Sequence, residues 1–166
     1  GSTNNEAQPL MFRPTDGARV KVAPLICSDA YVPAIARAEA KSDPDFFVVM
    51  SNEAWSGRTS MPYQAHAIAQ FRAVETGRAF VRASYSGPTA VLLPTGDVAA
   101  GALPVPEPQR TANDEPLLLV VDVPRLRGAT VYTRIGDAFA WSAVVFTFGA
   151  LGLAIYGPHG LRRSLS

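Results

Sequence analysis

"VAPLICSDAY", residues Val22 to Tyr31, contains the single cysteine of a 166-residue chain. An apolar, strand-like run stops abruptly at Cys27. Ser28 and Asp29 follow, and a helix-like segment begins. A strand running straight into a helix is the corner of an α/β sheet, and loops at strand ends are where sites are built. Cys27 at such a corner admits two readings. A lone cysteine packs as a small hydrophobe in many cores. At a strand end before a helix, unpaired backbone N–H groups and the helix dipole favour the thiolate instead. The backbone N–H of Ser28 then stands where it helps to hold an oxyanion. Asp29 either caps the helix or orients a partner.

Working outward, residues 18–26 read as a strand buried on both faces, with Pro24 implying an edge or a bulge. Residues 32–41 read as a short helix with Pro33 in its first turn. Residues 46–51 (FFVVMS) read as a buried strand and 52–61 as a loop. Residues 62–76 form an amphipathic helix whose apolar set includes Ala65, Ile68, Ala69 and Val74, with Gly77 as its C-cap. Strands are predicted at 79–84, 89–93, 98–103 and 117–123, with a polar loop over 104–115. Arg72, Glu75 and Arg78 fall at i, i+3, i+6, a spacing that allows two ion pairs on one helix face. The first 17 residues read as a loop entered midway, so the chain is read as a piece of something longer.

The composition bounds the chemistry. A formal net charge of +1 gives no footprint for nucleic acid. One cysteine cannot form an intrachain disulfide, and with two distant histidines, His66 and His159, it offers no zinc ligand set. No glycine-rich phosphate loop is present. No metal and no cofactor are expected. A Cys27–His66 pair is conceivable, although a helical histidine is more often a satisfied structural group. The loop "SNEAWSG", Ser51 to Gly57, follows a buried strand directly. Its Trp55 is either a pocket wall or a packing anchor.

The tail changes character. Residues 138–156 carry no charge over 19 positions. Helical at about 1.5 Å per residue, that run nearly crosses a hydrocarbon core of about 30 Å. Trp141 and Tyr156 stand near its ends, Gly157-Pro158 stops it, and Arg162-Arg163 follow. The segmentation expected is a globular part over 1–136, a transmembrane helix over 137–158 and a basic tail over 159–166. The positive-inside rule places the tail in the cytoplasm and the globular part on the outer face.

"PLICSDAY", "SNEAWSG", "PYQAHAIAQFRAVETGRAFVRASYSGPTAVLLPTGDV" and "YTRIGDAFAW" before an apolar helix fall in one order. In that order they resemble the C-terminal half of bacterial apolipoprotein N-acyltransferases, membrane members of the nitrilase superfamily. The resemblance implies an α/β fold, the nitrilase-like α-β-β-α sandwich, here its C-terminal half followed by one transmembrane helix. It implies a periplasmic site at the inner membrane that moves an acyl chain from a phospholipid, through a cysteine thioester, to the N-terminal diacylglyceryl-cysteine of an apolipoprotein. It implies Cys27 as nucleophile, with Ser28 and Asp29 beside it, and Asn52, Glu53 and Trp55 in a substrate-binding loop. Asp29 stands where the family commonly has Glu, Glu53 where Asp is frequent, and Ser56 where an aromatic is frequent. The family's catalytic Glu and Lys lie upstream of the cysteine, in a portion outside this chain; Lys21 does not match that Lys. The partners implied are the phospholipid donor, the apolipoprotein acceptor, the membrane and the rest of the same polypeptide. Two further readings stand beside this one. One is a carbon–nitrogen hydrolase of amidase or nitrilase type acting on a small amide. The other is a degenerate, non-catalytic, membrane-anchored domain.

Overall fold

A computed structural model describes residues 9–13, 17–57, 59–102 and 120–156. Its centre is a six-stranded sheet in which the strands lie side by side in chain order. These are β1 (Leu10–Phe12), β2 (Val20–Ile26), β3 (Phe46–Asn52), β4 (Phe80–Tyr85), β5 (Thr89–Leu92) and β6 (Val98–Ala102). The middle strands β2, β3 and β4 are parallel, and the outer pairings are antiparallel. Parallel neighbours need crossovers, supplied by α1 (Pro33–Ala40) between β2 and β3 and α2 (Met61–Thr76) between β3 and β4. The C-terminal ends of three adjacent strands therefore share one edge of the sheet, and Cys27 follows the first of them.

Alternation along the strands separates two faces. Ala23, Leu25, Phe47, Val49 and Phe80 are fully buried and pack with Ala36, Ala40, Ala69 and Ala73 of the two helices. Phe47 and Phe80 are register partners, and their rings stack at 4.5 Å. The intervening residues Val22, Pro24, Phe46, Val48 and Met50 line a groove of about 730 Å³ with Leu10 and Phe12, and Val121, Asp122, Val123 and Arg125 contribute to its wall. One face is thus closed by helices, while the other presents an apolar groove.

Helix α2 buries Pro62, Ala65, His66, Ala69, Arg72, Ala73 and Thr76. This stripe corrects the expected apolar set. Ala65 and Ala69 are inside, but Val74 is exposed and Ile68 half-buried. Small side chains let the helix lie close to the sheet, and larger apolar residues are left outward. Gly77 ends the helix at φ +65°, and a Cβ there would stand 2.7 Å from Thr130 Cγ2, so both backbone and neighbour require glycine. Arg72 pairs with Glu75 at 2.8 Å. Arg78 lies beyond that cap, off the helix spiral, and donates to the Pro44 and Gly77 carbonyls and to Asp43.

Other expectations are adjusted. Part of the N-terminal stretch read as loop forms β1, paired to residues 20–22 of β2. Among the described residues the β1 pairing ends at Val22, and Pro24 is paired on its other side with Val48 of β3. Of the strand expected at 117–123, residues 117–119 lie outside the described residues, and 120–123 form no strand. The loop at 104–115 and residue 103 also lie outside them.

The chain after residue 124 returns to the helix layer. Arg127 pairs with buried Asp45 at 3.3 Å, Gly128 N–H donates to Asp43 at 3.2 Å, and Thr130 Oγ1 donates to the Glu75 carbonyl. A short helix, α3 (Val131–Ile135), was not anticipated from the sequence. Arg37 of α1 donates to the carbonyls of Tyr132, Thr133 and Arg134.

A second unit begins at Ile135 and contains α4 (Ala138–Tyr156). The uncharged run is helical as expected, and Phe139, Trp141, Val145, Phe146, Phe148 and Leu153 are exposed along it. The expected 137–158 span is corrected by the structure: among the described residues, no helix is long and apolar enough to cross a membrane. Nineteen residues reach about 28 Å, just short of a core of about 30 Å, and residues 157–166 lie outside the description.

Candidate active site

The corner at Cys27 is sharp. Strand β2 ends at Ile26, and a 3₁₀ turn, Cys27–Tyr31, precedes α1. Cys27 has φ +52°, in the left-handed region that L-residues enter at a cost of about 1–2 kcal/mol. Its side chain is half-buried and the thiol is free. Asp29 Oδ2 accepts from the Ile26 N–H at 2.9 Å, a capping contact across the turn. The Asp29 carbonyl accepts from Val32 N–H at 3.2 Å. Asp29 therefore holds the strand exit that presents Cys27. Its charge also acts on Glu39, whose carboxyl is pushed up first by burial and then by Asp29. Ser28 is exposed.

One strand over, β3 leaves the sheet at Asn52 and enters a 3₁₀ turn, Ala54–Ser56. Asn52 Oδ1 accepts from Ala54 N–H at 3.0 Å, an Asx turn that starts the bend. The Glu53 carbonyl accepts from Ser56 N–H at 2.9 Å and from Ser56 Oγ at 2.7 Å. Trp55 is 70% exposed among the described residues.

Glu53 behaves differently from its neighbours. Its residue exposure is 2%, and its Oε1 pairs with Arg82 Nη2 of β4, itself 1% exposed. Its Oε2 accepts from Ser84 Oγ. Arg82 Nε also donates to the Pro88 carbonyl at 3.1 Å, and Glu53 N–H donates to the Tyr85 carbonyl at 3.1 Å. A Cβ on Gly87 would stand 2.6 Å from Glu53 Oε2, so the turn between β4 and β5 closes directly over the carboxylate. Both oxygens of Glu53 are thus engaged inside the protein, one by Arg82 and one by Ser84.

Two further groups border this pair. Burial raises the Tyr31 phenol, the Glu53 charge raises it further, and Cys27 acts in the same direction against the opposing Arg82 guanidinium. Tyr31 thus lies within electrostatic reach of both the cysteine and the ion pair. Its hydroxyl reaches Met61 Sδ at 3.8 Å. His66, 8% exposed, has its pKa lowered first by burial and then by the charge of Arg82. Among the described residues it makes no hydrogen bond to Cys27, so the conceivable Cys27–His66 pair is not formed. Sequence reasoning missed Tyr31, Arg82 and Ser84. Their separation from Glu53, 31 positions for Ser84, left no local signal.

The sequence model of the carbon-nitrogen hydrolase family matches residues 4–127. Among curated relatives, an apolipoprotein N-acyltransferase of Shewanella oneidensis is 37% identical over 117 residues, 70% of this chain and 21% of that protein. One of Geobacter metallireducens is 31% identical over 148 residues, 89% of this chain and 26% of that protein. The chain spans about a fifth to a quarter of the length of these relatives. Among solved structures, an amidase from Nesterenkonia sp. is similar at 22% identity and a TM-score of 0.43, covering 57% of this chain and 37% of that one.

Proposed function

Since the chain belongs to the carbon-nitrogen hydrolase family, we propose that it is the nucleophile-bearing portion of an N-acyltransferase, moving an acyl chain from a phospholipid to the N-terminal amine of an apolipoprotein. The single observation that carries this reading is Cys27, a free thiol at a strained, left-handed corner at the strand-end edge of the sheet. The similarity to apolipoprotein N-acyltransferases over most of the chain supports the substrate class. So does the exposure of Ile26, Met50, Trp55 and Tyr85 at the ends of β2, β3 and β4, an apolar rim suited to an acyl chain.

The proposed chemistry has two steps. The Cys27 thiolate attacks the ester carbonyl of the phospholipid. A carbon–sulfur bond forms, the carbon–oxygen ester bond breaks, and the lysophospholipid alkoxide leaves with a proton. The acceptor amine then attacks the thioester, an amide forms, and Cys27 is released after the amine loses its proton. Ser28 N–H is the proposed donor to the developing oxyanion. The general base and the lysine that the resemblance implies lie outside this chain. The open apolar sheet face supports the α-β-β-α arrangement, because a second sheet would cover it. The uncharged α4, with large exposed apolar side chains, supports a seat at the inner membrane, with the globular part on the periplasmic side.

The experiment is to incubate the full-length protein with labelled phospholipid and to look for a hydroxylamine-sensitive adduct on the peptide containing Cys27. Transfer from that adduct to a diacylglyceryl-cysteine peptide supports the reading. Hydrolysis of small amides without acyl transfer would replace it.

A further inference from the structure

We propose that the buried Glu53–Arg82 pair is a positioning device for the acyl-donor rim: it clamps the loop that carries Trp55 to the β4–β5 turn beside Cys27. The inference rests on the acyltransferase reading for its substrate, and on geometry for the clamp.

The geometry begins with the strand register. Ile26 pairs with Met50, and Asn52 pairs with Tyr85, so the exits of β2, β3 and β4 stand in a row. At about 4.8 Å between strands, the first and third exits are about 10 Å apart. Glu53 is the first residue past the end of β3. Its backbone N–H is bonded to β4, its carbonyl to Ser56, and its side chain to Arg82 and Ser84. Arg82 then reaches past Glu53 to the Pro88 carbonyl, while Thr89 Oγ1 bonds both the N–H and the carbonyl of Ser84. One carboxylate thereby ties two loops together. Of the side chains these loops carry, Trp55 and Tyr85 are 70% and 68% exposed. A fully bonded ion pair beneath two exposed aromatic residues fixes a rim without occupying it.

A buried pair is a poor source of stability, because desolvation offsets attraction, and neutral replacement of both partners is often tolerated. Removal of one partner alone leaves an uncompensated charge. The pair is therefore separable from the fold by a double substitution, and the test uses this.

Full-length wild-type protein is compared with Glu53→Gln/Arg82→Met. Three quantities are read: hydrogen exchange at the amides of Glu53 and Ser56, alkylation of Cys27 by iodoacetamide, and KM against kcat for acyl loading from phospholipid in detergent micelles. The proposal expects loop exchange at least about 10-fold faster, with the Val49 amide unchanged. It expects alkylation within about 2-fold of wild type and a KM raised about 10- to 100-fold, with kcat changed much less. A folded double variant with wild-type exchange and wild-type KM would overturn the clamp. So would a KM that holds while alkylation and kcat fall together, since the pair would then act on the nucleophile. If wild type forms no acyl adduct, the acyltransferase reading fails, while the exchange and alkylation arms still decide whether the pair locks the loop. Should the double variant not fold, Ser84→Ala, which removes one bond to the carboxylate and no charge, carries the same three readouts.

Discussion

Two strand exits stand side by side on this sheet and are held in opposite ways. At Cys27 the exit is fixed locally: Asp29, three positions after Ile26, accepts that residue's N–H at the protein surface. At Glu53 the exit is fixed at long range by a guanidinium 29 positions away, inside the protein. The first presents a strained side chain on an economical brace. The second presents Trp55 above a bonded and desolvated support. Under the proposed acyltransferase reading, the difference divides chemistry from substrate contact: one strained residue serves the corner, and a rigid floor serves the loop.

The comparison breaks first at Cys27. Cys27→Gly should abolish acyl loading altogether, yet glycine relieves the left-handed backbone. The melting temperature of the full-length protein should stay level or rise, by an amount corresponding to at most about 1 kcal/mol. A melting point several degrees lower would mean that the thiol packs rather than reacts. Next in size is Arg82→Met alone. It strands the Glu53 carboxylate in the interior, and urea unfolding should register a loss of about 3–5 kcal/mol. A loss below about 1 kcal/mol would mean that water reaches Glu53 and that the two exits are alike.

Asp29→Ala tests the local brace. It should cost about 0.5–2 kcal/mol, the range for a lost cap, and Asp29→Asn should cost less because an acceptor remains. An Asp29→Ala loss as large as that of Arg82→Met would erase the contrast. The smallest effect is a pH dependence. Folding lowers the His66 pKa below 6.5, through burial and then Arg82. The unfolded chain therefore binds more protons in the window below 6.5, and stability falls as the pH drops through it. Thermal melts from pH 8 to 5 should show this slope, and His66→Gln should flatten it. An unchanged slope would assign it to other groups.

The same contrast explains what the sequence could convey. The Cys27 corner was legible because its parts are neighbours: an apolar run, a cysteine and an acidic residue two positions on. Helix α2 and its Gly77 cap were legible for the same reason, since periodicity and a left-handed stop are local signals. Strand β1 was not, because a three-residue strand with exposed side chains becomes one only by pairing with β2. Arg82 was not legible either. In "AFVRAS" nothing local marks it, and only β3 and its following loop turn it into the partner of Glu53. The inward stripe of α2 was misjudged at Val74 because hydrophobicity ranks side chains by size, whereas the close approach to the sheet selected alanines.

The segment from Arg127 to Arg134 carries a consequence for how the molecule comes into being. Asp43 and Asp45 sit in the turn between α1 and β3, and Asp43 ionises more readily in the fold, despite burial, because Gly128 and Arg78 bond it. Arg37 waits for carbonyls 95 to 97 positions later. On the ribosome, at about 5–20 residues per second, that interval lasts on the order of 5–20 seconds. During it, β2, α1 and β3 have already emerged while Arg37 lacks these acceptors and Asp45 lacks Arg127. Synthesis must pass residue 134 before these contacts close, so the nascent domain spends its early life with its last latch open.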